Sequence, residues 1–156
     1  MKTDRSSRFA IQKITTLKGV PSKKTLTHWL RAVVPTNAEI TIRIVDEDEA
    51  RSLNQAFRSK DYVPNVLAFP FDETLDGFLW GDIVICASVV FQEAQDFGVP
   101  SSFRFAHLLV HGALHLLGYD HENEEDARLM ESEEIRILNQ LGFANPYDDQ
   151  TPIHLA

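Results

Sequence analysis

The strongest constraint on this chain lies between residues 107 and 121, which read His107-Leu-Leu-Val-His111-Gly-Ala-Leu-His115-Leu-Leu-Gly118-Tyr-Asp-His121. Four of the six histidines fall in this stretch. His111 and His115 are four apart, so a helix sets both imidazoles on one side, one turn apart. Two such nitrogens can chelate one zinc ion at ~2.0–2.1 Å. Gly118 can end that helix with a positive φ at little steric cost, and the turn brings His121 back as a third ligand. Three protein ligands leave a fourth tetrahedral position open for water, as in catalytic zinc sites. The reading is one catalytic Zn2+ per chain, held on a helix-turn by His111, His115 and His121. His28 and His154 stand alone and read as surface or helix-face residues.

Two neighbours of the triad need separate readings. His107 lies one turn before His111, but a fourth ligand would close the site. It reads as a residue behind the ligands or as simply packed. Asp120 sits inside the motif and can orient a ligand histidine, as carboxylates behind metal ligands do. The spacing resembles the metzincin pattern His-Glu-x-x-His-x-x-Gly-x-x-His. Gly112 stands where a zinc peptidase carries its glutamate base. General-base assistance is worth ~10²–10⁴-fold, so the site reads as hydrolytic toward something other than a peptide. Met130 follows the third histidine within an acidic helical stretch and reads as core filling rather than as a Met-turn.

The remaining sequence bounds the frame. A chain of 156 residues fits one domain spanning 1–156. Its single cysteine, Cys86, excludes an internal disulfide and suits a reducing compartment. Cys86 lies in an apolar run and reads as a small buried hydrophobe. No apolar run approaches the ~18 residues of a membrane span, and no apolar stretch follows the basic start of the chain. The expectation is a soluble, cytoplasmic protein without a membrane partner. A formal net charge of -8 disfavours non-specific attraction to nucleic acid. It leaves room for a local basic site.

Periodicity supplies the elements. Strands are predicted over residues 8–14, 39–45, 66–71 and 78–87, with Asp76-Gly77 as a hairpin turn between the last two. Helices are predicted over 22–34, from Asp46 to about Phe57, over 88–97, from Ser101 or Ser102 through the histidine motif, and over about 122–141 with Gly142 as the stop. Asp46 followed by Glu49 resembles a capping box. Ala50, Leu53 and Phe57 are expected to face inward. The order β-α-β-α-β-β-α-α-α predicts an α/β (α+β) single domain, a mixed four-stranded sheet packed with about five helices.

The motif from His111 to His121 closely resembles that of the YbeY family of bacterial endoribonucleases, which act in ribosomal RNA maturation. Other segments share the resemblance: Leu53-Asn54 with Arg58-Ser-Lys60-Asp61, the strand Gly81-Asp82-Ile83-Val84-Ile85, and Met130, Glu134 and Leu141 to Tyr147. It runs from about Ile40 to Tyr147. The chain departs from the family between Tyr62 and Phe69. The pattern there usually has Pro-Thr-Asp-Val-Leu-Ser-Phe, and this chain has Asn65 for the aspartate and Ala68 for the serine.

The resemblance implies zinc on the three histidines, single-stranded RNA as substrate and Arg58 as the catalytic or phosphate-contacting arginine. It further implies 16S ribosomal RNA 3′-end processing, a part in ribosome quality control, and a ribosome or ribosomal-protein partner. Two other readings share the motif. One is a zinc hydrolase of peptides or small molecules that borrows a carboxylate such as Asp61 or Asp82. The other is a non-catalytic ribosome-associated factor in which zinc is structural.

Overall fold

The computed structural model describes residues 5–71 and 77–147. Among these residues four strands and five helices follow one another in the predicted order. They are β1 (Arg8–Lys13), α1 (Lys23–Val33), β2 (Ala38–Val45), α2 (Glu47–Arg58), β3 (Val66–Pro70), β4 (Leu79–Cys86), α3 (Ala87–Phe97), α4 (Ser101–Leu116) and α5 (Glu124–Gln140). The sheet order is β1-β2-β4-β3. β1, β2 and β4 run parallel, and β3 lies antiparallel on the edge beside β4.

Alternation in β2 explains its placement. Ile40, Ile42 and Ile44 are fully buried on one face, in the main core with residues of α1, α3, α4 and α5. The opposite face carries a smaller core of Val45, Ala50, Leu67, Val84 and Cys86, beneath α2. Because helices cover both faces of β4, its run from Ile83 to Cys86 is buried without alternation, as expected for a strand enclosed on both sides.

Most differences from the sequence reading lie at helix ends and have local causes. Asp46 is the N-cap of α2, but its side chain makes no capping bond. It accepts instead from Thr15 Oγ1 at 2.5 Å, while Glu49 pairs with Arg43. α4 starts behind Pro100 rather than Ser101 or Ser102, because extended Pro100 already supplies the carbonyl that Arg104 N–H needs. α5 begins after Asn123, whose side chain accepts from Asp126 N–H at 2.8 Å. Asp76 and His154 lie outside the described residues.

The inward stripe of α2 also differs. Phe57 is 68% exposed, and Asn54 is buried in its stead. Phe57 lines an open cavity with Leu53, Phe69 and Val84, so it meets the sheet while staying open to solvent. Phe57 there leans on Phe69 with ring centroids 5.4 Å apart. Asn54 is tolerated inside because its Nδ2 donates to the Tyr62 carbonyl at 3.0 Å, pinning the loop that follows Arg58. Removing one partner of a buried hydrogen bond costs about 1–3 kcal/mol. Asn54→Ala is therefore expected to lower stability by that amount in urea denaturation and to speed proteolysis within residues 59–64. An unchanged midpoint would show that the Asn54–Tyr62 bond holds nothing.

Candidate metal centre

α4 is the central helix of the domain. From Arg104 to Leu114 each residue is buried, against β3 and β4 on one side and against α1, α3 and α5 around it. One stripe of this apolar helix is polar: Arg104, His107, His111 and His115, spaced three, four and four apart. The opposite flank packs so closely that a Cβ on Gly112 would lie 3.1 Å from Ile83 Cγ2 and 3.3 Å from Val66 Cγ2. Position 112 thus faces the sheet, and glycine there answers to packing.

The helix ends in a Schellman arrangement. Gly118 N–H donates to His115 O and Tyr119 N–H to Leu114 O, with Gly118 at φ +102°. The reversal carries residues 119–121 back over the last turn. Asp120 Oδ1 accepts from the His121 backbone N–H at 2.7 Å. Asp120 thus steadies the backbone that presents His121.

The three imidazoles converge. Ring centroids are 4.6 Å apart for His111 and His115, 5.0 Å for His115 and His121, and 5.3 Å for His111 and His121. One ring nitrogen from each lies within 4.8 Å of the other two. His111 Nε2 and His115 Nε2 stand 3.1 Å apart, close to the roughly 3.3 Å that two nitrogens span on a tetrahedral zinc. Burial holds His115 down to about 4, reinforced by the fields of His111 and His121. At neutral pH His115 is the uncharged imidazole that a metal requires. The donor set fits one divalent ion of zinc type.

Behind the triad lies a buried polar cluster. Glu134 Oε2 accepts from His111 Nδ1 at 2.7 Å, and Glu134 Oε1 accepts from His107 Nε2 at 3.0 Å and from the Tyr147 hydroxyl. Burial pushes the Glu134 carboxyl up, but the hydrogen bonds from His107 and His111 outweigh it and hold it well below the usual carboxylate range. Burial lowers His107. Arg104 Nη1 lies 3.3 Å from His107 Nδ1, and Arg104 also donates to Glu93 at 2.8 and 3.1 Å. Tyr147 arrives because Phe143 anchors the chain after α5 between Trp29 and Phe103.

Arg58 ends α2, and Ser59 at φ 56° turns the chain away from the helix. Its Nη2 lies 3.4 Å from the Ala68 carbonyl. Arg58, Ala68, His115, Asp120 and Glu122 line one cavity of about 350 Å³. Asp61 is paired with Arg51 at 2.8 Å, and Asp82 lines a different cavity, with Arg43 and Phe57.

Sequence reasoning assigned no role to Glu134, Tyr147 or Arg104. A signal existed for Glu134. Met130, Glu134, Ile137 and Leu138 are the buried face of α5, so a glutamate recurs at a position where helical period demands an apolar residue. Asn65 donates from Nδ2 to the Glu93 carboxylate at 3.3 and 3.4 Å. This departure from the family pattern belongs to the buried cluster. Ala68 meets Arg58 through its backbone, so the missing serine hydroxyl does not enter that bond.

Fold and site together define a mixed α/β domain with an open three-histidine centre, the type of site found in metal-dependent hydrolases. The family model described as Endoribonuclease YbeY matches residues 10–142. Endoribonuclease YbeY of Thiobacillus denitrificans is 47% identical over 140 residues, covering 90% of this chain and 95% of that one. Endoribonuclease YbeY of Burkholderia ambifaria is 50% identical over 131 residues, covering 83% of this chain and 75% of that one. A Thermotoga maritima protein solved in solution shares the fold with a TM-score of 0.55 and 26% identity, covering 95% of this chain and 99% of that one. The chain belongs to the YbeY family of endoribonucleases. The match begins thirty residues before Ile40, where recognisable motifs start.

The shifted histidine makes a pH prediction. An unfolded histidine titrates near 6.5 and folded His115 near 4. Between these values the unfolded chain binds more protons, so stability falls as pH falls through that window and levels off below it for this group. His107 acts with the same sign. Glu134 adds a separate loss at lower pH, below its ordinary value of 4.5. Urea midpoints of metal-free protein should fall from pH 7 to pH 5, and fall less in His115→Ala. Parallel pH profiles for the two proteins would contradict the assignment.

Proposed function

We propose that the chain is a zinc-dependent, single-strand-specific endoribonuclease that acts in ribosomal RNA maturation, including 16S 3′-end processing, and in ribosome quality control. The observation that carries this reading is that Arg58 and the half-buried ligand candidate His115 line the same open cavity. Zinc on His111, His115 and His121 would supply Lewis-acid polarisation of a phosphoryl oxygen and acidify water.

The chain's own residues do the rest. Arg58 can exchange its long bond to the Ala68 carbonyl for a two-pronged bond to non-bridging phosphate oxygens. Among the described lining residues it is the one basic side chain beside Asp120 and Glu122, so it locates an anionic group within an otherwise acidic rim. A volume of about 350 Å³ is of the size of a small ligand, such as one unstacked nucleotide. This favours single-stranded substrate. The net charge of -8 favours help from a partner on the ribosome over unaided RNA affinity. A cytoplasmic setting agrees with one buried cysteine and with the absence, among the described residues, of a helix able to cross a membrane.

The peptide-hydrolase reading loses ground on the same geometry. Gly112 faces Ile83 and Val66, so a glutamate at this position would enter the core. Asp61 and Asp82 do not line the histidine cavity.

An end-labelled single-stranded precursor of ribosomal RNA tests the proposal. Wild type is expected to cut it, and His115→Ala, purified in parallel, is expected to lose both cleavage and stoichiometric zinc. Arg58→Ala should keep zinc and lose cleavage by about 100-fold or more, as when one preorganised donor is removed. A 2′,3′-cyclic phosphate at the new end would identify the RNA 2′-hydroxyl as nucleophile. Equal cleavage by wild type and His115→Ala, or none by either, would move weight to the partner-dependent or non-RNA readings.

A further inference from the structure

We infer that Glu134 is the positioning residue of the metal centre: it holds His111 in the Nδ1–H tautomer, with Nε2 turned to His115, and is itself held by Arg104, His107 and Tyr147. The inference rests on the three-histidine reading above. It deepens that reading by naming a residue outside the motif on which the centre depends.

The geometry fixes the direction of each proton in the cluster. Glu134 is completely buried, and so are the side chains of His107 and His111, at 1% exposure. A guanidinium has donors and no acceptor. Arg104 Nη1 at 3.3 Å therefore obliges His107 Nδ1 to accept. The proton of neutral His107 must then sit on Nε2, where it points at Glu134 Oε1. The Tyr147 hydroxyl donates to the same oxygen. Only Oε2 remains for His111, and a carboxylate can only accept. His111 Nδ1, at 2.7 Å, must carry its proton. The lone pair is thereby placed on Nε2, on the side of His115 Nε2 at 3.1 Å. The orientation starts further back, since Glu93 grips Arg104 and Asn65 donates to Glu93.

A glutamine at 134 cannot replace this arrangement. Its amide offers one accepting oxygen and one donating nitrogen. If the oxygen faces His111, the nitrogen confronts the His107 Nε2 proton, and the Tyr147 hydroxyl must turn from donor to acceptor. If the amide is flipped, the nitrogen confronts His111 Nδ1 and pushes its proton to Nε2, the atom needed for the metal.

The test measures tautomer and metal affinity, with no RNA. In metal-free wild type, histidine 15N shifts should show His111 protonated on Nδ1. In Glu134→Gln the Nε2–H form should appear, and zinc affinity, read by chelator competition, should fall about 10–100-fold, the usual cost of losing a partner behind a metal ligand. Tyr147→Phe keeps the carboxylate and should weaken zinc binding less. Metal-free thermal stability separates these effects from loss of fold. An Nε2–H His111 in wild type, or unchanged zinc affinity in folded Glu134→Gln, overturns the inference. Should Glu134→Gln not fold, the wild-type tautomer and Tyr147→Phe decide it. Wild type that binds no zinc would sink this inference together with the function proposed above. Zinc binding indifferent to residue 134 would sink this inference alone.

Discussion

The structure depends on a helix that water does not reach. α4 is buried without a break from Arg104 to Leu114, so any polar group it carries must find its partner inside the protein. Arg104, His107 and His111 all lie on that buried stretch. Each meets a polar side chain: Glu93 for Arg104, and Glu134 for both histidines. The rest of the domain follows from enclosing this helix. β3 and β4 supply one wall, close enough that a Cβ at position 112 would press on Ile83 and Val66. α1, α3 and α5 supply the others; α3 brings in Glu93 for Arg104, and α5 brings in Glu134 for the two buried histidines.

Burial also grades the site. His111 is buried, His115 is intermediate and His121 is exposed. The inner histidine is held by the cluster behind it, while the outer one rides on a turn set by Gly118 and by Asp120 on its backbone. A centre graded in this way has a rigid back and an accessible front. Arg58 approaches from the front, at the end of α2, and the loop that follows it is steadied by buried Asn54. On the function proposed above, buried groups behind and a guanidinium at the mouth would serve an anionic substrate that enters from solvent.

The triad was legible because its logic is local: four-residue spacing and a glycine stop need no knowledge of the rest of the fold. Element order was legible for the same reason, through alternation in β2 and helical period in α5. The partners of the triad were not, because they come from distant places. Glu134 and Tyr147 meet His107 across 27 and 40 residues of sequence. Helix ends misled where a nearby side chain outcompeted the local cap. Asp46 is engaged by Thr15 from 31 residues away. Phe57 misled because periodicity reports which face is apolar, and not how completely its neighbours close over it.

Asn65 can be understood from the charges in this dry interior. Arg104 brings one positive charge at 1% side-chain exposure, and Glu93 answers it with one negative charge. The family's aspartate at position 65 would set a second carboxylate against Glu93 and leave the pair with an excess of negative charge. The Asn65 amide donates to Glu93 instead, so Arg104 and Glu93 balance. Glu134 is a further anion in the cluster, held by hydrogen bonds from His107, His111 and Tyr147. A buried anion is costly unless hydrogen bonds and opposite charge answer it. One place from which positive charge can act on Glu134 is the far side of His111, where three imidazole nitrogens converge. In that sense the cluster behind the triad carries the charge complement of the cation that the triad is shaped to hold.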